Sequence, residues 1–276
     1  MKKRLPISLL VFFICFQTYS QQHQLEKLWE SDTTFKVPES VYFDAANKML
    51  YVANIDGQPW EKDGKGSISK LSPSGKVVQH DWITGLNAPK GMSIYKKQLY
   101  VADMDEIVVI DISKGSVVEK IKVDGALGLN DVSVSPSGVV YVSDSRAKRI
   151  LTIKNGKVDT LLQNLNGPNG VLAHGNDFYI LDQGGMYKVG ADKSLKLIVD
   201  GMEGGTDGIE HVKGNEFIVS CWGGAVWYVS GEGKKELILD TREAKINSAD
   251  IGYDAKNRIV YVPTFWKNGV VAYKVK

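Results

Sequence analysis

The sequence is poor in cysteine. Of its 276 residues only two are cysteines, and one of them, Cys15, lies in an apolar N-terminal stretch. Because Cys221 is the only thiol in the rest of the chain, an internal disulfide is excluded. The four histidines lack the spacing of zinc ligands, which disfavours a zinc site. The fold must therefore depend on its apolar core.

Long apolar runs are absent after residue 20. Before it, the basic start MKKR, the apolar LPISLLVFFICF and the small residues that end at Ser20 are typical of a secretory signal peptide, which is too short to span a bilayer comfortably. We therefore predict that residues 1–20 are a signal peptide. The mature chain is then periplasmic or secreted and has no membrane segment.

An excess of charge of one sign is also lacking. The formal net charge is +2, and no basic run with interleaved aromatic residues occurs, which argues against nucleic acid or an anionic membrane as a partner. No Pro- or Ser-rich linker interrupts the chain, so residues 21–276 are predicted to form a single domain. A small-molecule ligand remains the expected partner, and a protein partner is left open.

What the sequence does contain is a repeat. Six times a β-rich run, a turn and a second β-rich run follow one another: PESVYFDAANKMLYVA (38–53), PKGMSIYKKQLYVA (89–102), LNDVSVSPSGVVYVS (129–143), PNGVLAHGNDFYIL (168–181), TDGIEHVKGNEFIVS (206–220) and SADIGYDAKNRIVYVP (248–263). The units recur roughly every forty residues, which is the length of a four-stranded propeller blade. We predict an all-β, six-bladed β-propeller, and a β-sandwich is the alternative.

The two ends of the chain predict how the ring closes. The last unit supplies only three strands before Lys276, whereas the early segment LEKLWES, residues 25–31, has no blade of its own. We predict that this segment pairs as the outer strand of the last blade. Closure of this kind leaves no seam of unpaired strand edges.

Oxygen-bearing side chains recur at one position of the repeat. The first strand of a blade is the innermost, so the residues that open it should meet near the axis. Four of these residues, Glu39, Asn130, Asn169 and Asp207, offer oxygen ligands with a total charge of −2, which suits Ca²⁺, or Mg²⁺ or Mn²⁺ with more water. The alternative is that they only cap turns, because Asn-Gly and Asp-Gly are common turn sequences.

Other residues are predicted to lie near this ring. Lys90 occupies the same repeat position and is expected either to orient the acid group of a substrate or to form an ion pair with a carboxylate. The next position carries Asp131 and Asp250, which are candidate general bases.

The loops between the second and third strands of the blades should rim the same face. Three of their residues, Trp60, Trp222 and Trp266, would contact an apolar or sugar-like ligand or pack among the loops. The longest of these loops, NIDGQPWEKDGKG, is either a lid or a solvated insertion.

The motifs PESV, LYVANIDG, LNDVSVSPSG, GPNGVL and NSADIGYD, in this order, resemble the regucalcin/gluconolactonase family of six-bladed propellers, and most closely its exported bacterial members. The resemblance implies a divalent cation, often calcium, bound by Glu39, Asn169 and Asp207. It implies that Asn130 touches substrate or metal and that Asp207 is also a base. The chain departs from the family's sugar lactonases at Gly128, where those carry an arginine, and in the order of PES, where the glutamate usually precedes the proline.

Two functions are consistent with these residues. In the first, the chain is a divalent-metal-dependent hydrolase of a lactone or related ester, in which the metal polarises the carbonyl and Asp207, Asp131 or Asp250 takes a proton from water. In the second, the metal is structural and the propeller binds a small ligand or a protein without catalysis. Fold alone does not decide between them.

Overall fold

A computed structural model describes residues 23–231 and 233–276, so the predicted signal peptide lies outside the described residues. Apart from one short 3₁₀ turn at Phe265–Lys267, the described residues form strands and loops. In this part of the chain no helix is long and apolar enough to cross a bilayer.

The strands, in chain order, are β1 (Leu25–Glu30), β2 (Pro38–Asp44), β3 (Met49–Asn54), β4 (Gly66–Leu71), β5 (Val77–Leu86), β6 (Pro89–Tyr95), β7 (Gln98–Asp103), β8 (Glu106–Asp111), β9 (Ser116–Lys122), β10 (Leu129–Val134), β11 (Val140–Asp144), β12 (Arg149–Lys154), β13 (Lys157–Leu162), β14 (Pro168–His174), β15 (Asp177–Asp182), β16 (Gly185–Val189), β17 (Leu195–Val199), β18 (Thr206–Lys213), β19 (Glu216–Cys221), β20 (Ala225–Ser230), β21 (Lys235–Asp240), β22 (Gly252–Asp254), β23 (Ile259–Pro263) and β24 (Val270–Val275).

Six antiparallel four-stranded sheets form the blades of a β-propeller, which confirms the predicted fold class. Five blades take four consecutive strands each, beginning at β2, β6, β10, β14 and β18. The sixth has the order β1-β24-β23-β22, so its outer strand comes from the start of the chain, as predicted. In this closing pair Leu25 faces Val275 and Glu30 faces Val271.

The apolar core lies mainly between neighbouring blades. Between the first and second blades, for example, Tyr51 and Ile68 pack with Met92 and Leu99, all of them buried. One sheet face of each blade covers the next blade. For this reason most strand sequences are runs of β-branched and aromatic residues and not strict alternations of apolar and polar residues. The repeat seen in the sequence therefore corresponds to one buried layer after another around the ring.

Glycine follows the ring residue in three blades because the inner strands converge. A Cβ atom on Gly91 would lie 2.1 Å from Oδ1 of Asp131, and one on Gly208 would lie 2.4 Å from Oδ1 of Asp250. At Gly170 it would lie 2.3 Å from the backbone oxygen of Asp207. The Gly in PKG, PNG and TDG is thus required by close approach of the next inner strand, not by a turn.

Buried aspartates at the ends of the second strands hold the loops that lead into the inner strands. Asp103 accepts hydrogen bonds from the backbone N–H groups of Asn87 and Ala88, and Asp182 accepts from those of Asn166 and Gly167. Asp144 accepts from the backbone N–H of Gly128 in the same way. These carboxylates fix the point at which each inner strand starts, and hence the position of the ring residue that follows.

Trp29 joins the closing strand to the first blade. Its indole Nε1 donates to the backbone oxygen of Pro73 at 2.9 Å, and its ring lies against Gly75, where a Cβ atom would come within 2.8 Å. The ring also packs on Tyr261, with centroids 5.9 Å apart. A single side chain therefore connects β1, the last blade and the turn between β4 and β5.

We expect Trp29→Ala to lower the free energy of unfolding by about 2 to 4 kcal/mol, because it removes a partly buried aromatic ring and a hydrogen bond at the closure. Urea unfolding followed by far-UV circular dichroism measures this. Leu28→Ala on the same strand is the matched control, since Leu28 is 45% exposed and should change stability little. Equal effects of the two variants would contradict the role given to Trp29.

Candidate functional site

The structure brings the five predicted ring residues together around one cavity. Each is the second residue of an inner strand, and the five are Glu39, Lys90, Asn130, Asn169 and Asp207. The cavity measures about 240 Å³, and its remaining walls are Pro59, Trp60, Trp222 and Phe265. Equivalent positions of the repeat thus meet near the axis on one face of the propeller.

The pairing of the inner strands is irregular at the ring residues. In the five blades that are built from consecutive strands, the register between the first and second strands shifts around this position. Examples are the shifts between Pro38 and Ser40 and between Thr206 and Ile209. Irregularities of this kind re-aim side chains and are common beside functional sites. They turn the ring residues into the cavity.

Two buried oxygen atoms in the cavity lack a hydrogen-bond partner among the described residues. They are Oε2 of Glu39 and Oδ1 of Asn169. The amide nitrogen of Asn169 donates to Oδ1 of Asp207 at 2.9 Å, which commits the nitrogen and leaves the oxygen for a ligand. The amide nitrogen of Asn130 likewise donates to Ser145. Buried polar groups are seldom left unpaired, so these oxygens are available to a cation or to a hydrogen-bond donor of a ligand.

The donor set fits a hard divalent cation. Glu39, Asn130, Asn169 and Asp207 would supply oxygen ligands only, two of them carboxylates, as Ca²⁺ prefers. No group of three or more His, Cys, Asp or Glu side chains that could hold a metal occurs in residues 23–231 and 233–276. Amide side chains are not among these four residue types, and they make up half of the proposed ligands.

Burial controls the ionisation of the cavity. It raises the pKa of Glu39 well above the usual range, an effect opposed by the positive charge of Lys90 and increased by the charges of Asp207 and Asp250. Burial likewise raises the pKa of Asp207 to about 8, with a further contribution from Asp250, while the hydrogen bond from Asn169 and the charge of Lys90 act in the other direction. Carboxylates perturbed in this way are typical of functional sites.

Lys90 is almost fully buried, with 1% of its surface exposed. Its ammonium donates to the backbone oxygen of Pro59 at 2.7 Å and lies 4.5 Å from the centre of the Trp60 ring. Burial lowers its pKa, and the charges of Glu39, Asp207 and Asp103 act against that shift. The ion pair offered as the alternative for Lys90 does not form, since no carboxylate of the described residues lies within 4.0 Å of its nitrogen.

Asp131 and Asp250 do not line this cavity. They lie in a second one of about 170 Å³ along the channel, together with Ser40, Ser93 and Glu210. Asp131 accepts from the backbone N–H groups of Val132 and Val171, both at 2.7 Å, and Ser40 donates to Asp250 at 2.6 Å. Their contacts join the third blade to the fourth and the sixth to the first. Among the three candidate bases, only Asp207 reaches the site cavity.

The aromatic residues at the rim divide into two groups. Trp60 and Trp222 line the cavity, and Trp222 is 41% exposed. Trp266 does not line the cavity. Its side chain is 48% exposed and packs edge-on against Phe265, with ring centroids 4.9 Å apart. Phe265, from the same rim loop, is buried in the cavity wall, whereas the ligand contact predicted from the sequence was its neighbour Trp266.

Phe265 owes its place to an unusual backbone conformation. Its φ angle is 48°, in the left-handed region that large residues rarely adopt, and Asn268 three residues later has φ 59°. The side-chain oxygen of Asn268 accepts from the backbone N–H of Val37, which holds the loop against the first blade. Strained positions of this kind are concentrated at functional sites.

The long loop between β3 and β4, residues 55–65, covers one side of the cavity. Pro59 and Trp60 come from it, and the hydrogen bond from Lys90 fastens it to the second blade. The tip of Trp60 also occupies the space beside Gly128, where a Cβ atom would lie 2.7 Å from the ring. Of the two roles considered for this loop, covering the site agrees with its position.

Comparison with solved structures gives the same fold. A gluconolactonase from Xanthomonas campestris is 13% identical (91% of this chain, 89% of that one, TM-score 0.68), and the calcium-binding protein regucalcin from Agrobacterium tumefaciens is 19% identical (88% and 91%, TM-score 0.66). A streptogramin B lyase is 12% identical (92% and 98%, TM-score 0.67). No protein-family model matches the chain, and no curated protein does.

These likenesses confirm the six-bladed fold that the motifs predicted. They include both proteins that give the resembled family its name. At such identities they concern the fold alone, because one fold carries many activities. The chemistry of this chain has to be argued from its own cavity.

The channel carboxylates make stability depend on pH. Burial raises the pKa of Asp250 from 3.8 to about 7. Folded Asp250 therefore keeps its proton between these two pH values while the unfolded chain has released it, so stability falls as the pH rises through this window. We expect Asp250→Asn to raise the melting temperature of the metal-free protein by roughly 4 to 8 °C at pH 8 and to have little effect at pH 4.

Scanning calorimetry with a chelator present, at both pH values, checks this expectation. Asparagine keeps an oxygen that accepts from Ser40, so the variant removes the charge and preserves that contact. Asp159→Asn is the control, because this carboxylate is exposed and pairs with the exposed Lys157 on the same strand, β13. If Asp250→Asn raised the melting temperature equally at pH 4 and pH 8, ionisation of Asp250 would not be the cause of the change.

Proposed function

We propose that this cavity binds a divalent cation, with Ca²⁺ the first choice and Mg²⁺ or Mn²⁺ the alternatives, and hydrolyses a lactone or related ester. The observation that carries the proposal is the pair of unpartnered buried oxygens, on Glu39 and Asn169, beside the carboxylate of Asp207. The description of the regucalcin neighbour as calcium-binding supports the choice of metal.

The residues that line the cavity have different roles in this reaction. Glu39, Asn130, Asn169 and Asp207 would hold the cation, which supplies Lewis acidity toward a carbonyl oxygen when bound. Asp207 takes the proton of the attacking water, because it is the one of the three candidate bases that lines the cavity. The water oxygen bonds to the carbonyl carbon, the ring C–O bond breaks, and Asp207 returns the proton to the leaving oxygen to give a hydroxy acid.

The apolar walls position the substrate. Trp60, Trp222 and Phe265 form the sides of the cavity opposite the polar ring. Apolar walls with a few convergent polar groups are typical of small-molecule sites. They would hold the carbon skeleton of a small ring and reduce the access of bulk water to the reacting carbonyl.

Export is part of the proposal. It rests on residues 1–20, whose basic start, apolar core and small terminal residues are those of a signal peptide. The mature protein would act in the periplasm or outside the cell.

A second candidate is a non-catalytic role in which the cation is structural and the rim binds a ligand or protein. The exposed Trp222 and Trp266 at the rim favour it, because exposed aromatic rings mark binding surfaces. A nidogen/laminin complex also contains a structure of this fold, at 18% identity and TM-score 0.65 over 79% of this chain and 84% of that one.

Metal binding and turnover separate these roles. We expect Ca²⁺ to raise the melting temperature of chelator-treated protein, and Glu39→Gln or Asp207→Asn to weaken binding about 10- to 100-fold, because each removes one of the two charged ligands. Isothermal titration calorimetry measures this, with Asp159→Asn as the control. A pH-indicator assay on a panel of lactones then measures hydrolysis.

Asp207→Asn should lower the rate by about 100-fold or more on any lactone that the wild type hydrolyses. Wild-type activity retained by this variant would overturn the mechanism. Calcium binding without hydrolysis of any lactone or ester would favour the structural role.

A further inference from the structure

We infer that the ligand of this cavity carries a carboxylate, bound by Lys90 with Arg146 at the entrance. The inference rests on the proposed function in so far as the ligand is that reaction's substrate. It narrows the substrate to a small lactone or ester that bears a negative charge.

The first observation is the unused binding capacity of Lys90. An ammonium group has three N–H donors, and only one of them is accounted for, by the backbone oxygen of Pro59. The group is nevertheless almost entirely buried. A buried charge is normally paired, and none of the described carboxylates lies within ion-pairing distance of this one. Lys90 lines the cavity, so its remaining N–H donors are available to a ligand that binds there.

The second observation is the charge balance of the cavity. Glu39 and Asp207 contribute −2 when ionised, and a divalent cation would cancel that charge. Lys90 then leaves one uncompensated positive charge in a buried space. Asp103, whose charge also acts on Lys90, does not line the cavity and lies beyond ion-pairing distance of the ammonium. An anionic group on the ligand would complete the balance.

The third observation is a second cation at the entrance. The guanidinium of Arg146 lies 5.8 Å from the centre of the same Trp60 ring that Lys90 contacts. Arg146 is exposed, and no ion pair within the described residues holds it. Gly128 makes room for it, since a Cβ atom there would come within 2.9 Å of Cγ and Cδ of Arg146. Two cations beside one aromatic wall favour entry of an anion.

The dimensions of the cavity limit the ligand. At about 240 Å³ it is smaller than most drug-sized sites, so the ligand is a single small ring with its carboxylate and not a polymer. Trp60 contacts Lys90 on one side and forms the apolar wall on another. The same residue would therefore pack on the ring of the ligand and hold the cation that binds its charge.

The experiment compares two lactones that differ only in charge. They are the γ-lactone of α-hydroxyglutarate, which bears a free carboxylate, and the same lactone with that carboxylate converted into a carboxamide. We expect the calcium-loaded wild type to prefer the carboxylate. Lys90→Met should lower kcat/KM for the carboxylate by about 10- to 100-fold more than it lowers the value for the carboxamide. Arg146→Gln should reduce the preference less, and mainly through KM.

Lys70→Met is the matched control, because Lys70 also lies over a tryptophan ring, 3.8 Å from the centre of Trp82, away from the site. Lys90→Arg should recover part of the preference. Equal losses on both lactones in Lys90→Met would overturn the inference, since Lys90 would then act on the reacting carbonyl or only on the fold. No preference for the carboxylate in the wild type would also overturn it.

A binding measurement distinguishes this failure from that of the proposed function. Quenching of tryptophan fluorescence by glutarate and by glutaramide needs no turnover. Glutarate binding that is at least about 10-fold weaker in Lys90→Met, with no lactone or ester of the panel hydrolysed by the wild type, would support the carboxylate site and count against the hydrolase. Equal binding of glutarate to wild type and variant would overturn the carboxylate site whatever the lactones show.

Discussion

The convergence of the inner strands on one axis is the constraint from which the rest of this structure follows. It brings side chains from several blades into a space too narrow for most of their neighbours to carry a Cβ atom. Charged groups placed there lose most of their hydration, so each must find a partner or change its ionisation. In the first cavity two oxygens have no hydrogen-bond partner among the described residues, and the ammonium of Lys90 has only a backbone oxygen and an aromatic ring. The second satisfies its aspartates with backbone N–H groups and a serine hydroxyl. This difference separates the candidate site from the structural centre below it.

The sequence contains enough information to predict the blades, their number and their closure, because the same hairpin recurs and one strand is missing at one end. The ring around Glu39, Asn169 and Asp207 follows from the same repeat, since equivalent positions must meet near the axis. The depth of Asp131 and Asp250 follows from a further rule, that successive residues of a strand point to opposite sides. Attention to this alternation would have placed them in the other cavity.

Other features depend on loop geometry, which the repeat does not encode. Phe265 reaches the cavity only because its backbone adopts a positive φ angle, and nothing in PTFWKNG indicates which of its two aromatic residues turns inward. The aspartates Asp103, Asp144 and Asp182 stand where rim residues were expected, yet they bind backbone N–H groups instead of facing a ligand. The N–H groups that donate to these aspartates are set by the packing of the loops, so spacing along the chain does not reveal them.

The pairing of β1 with β24 also has a consequence for how the protein is made. The partner of Leu25 is Val275, 250 residues further along the chain, so the sixth blade cannot be completed before all the other blades have been synthesised. Five blades can form from local hairpins while the chain emerges, but the ring stays open until β24 has been made. Such distant contacts are slow to form. Until then β1 has no partner strand, and an unpaired strand edge is a site at which another chain can pair.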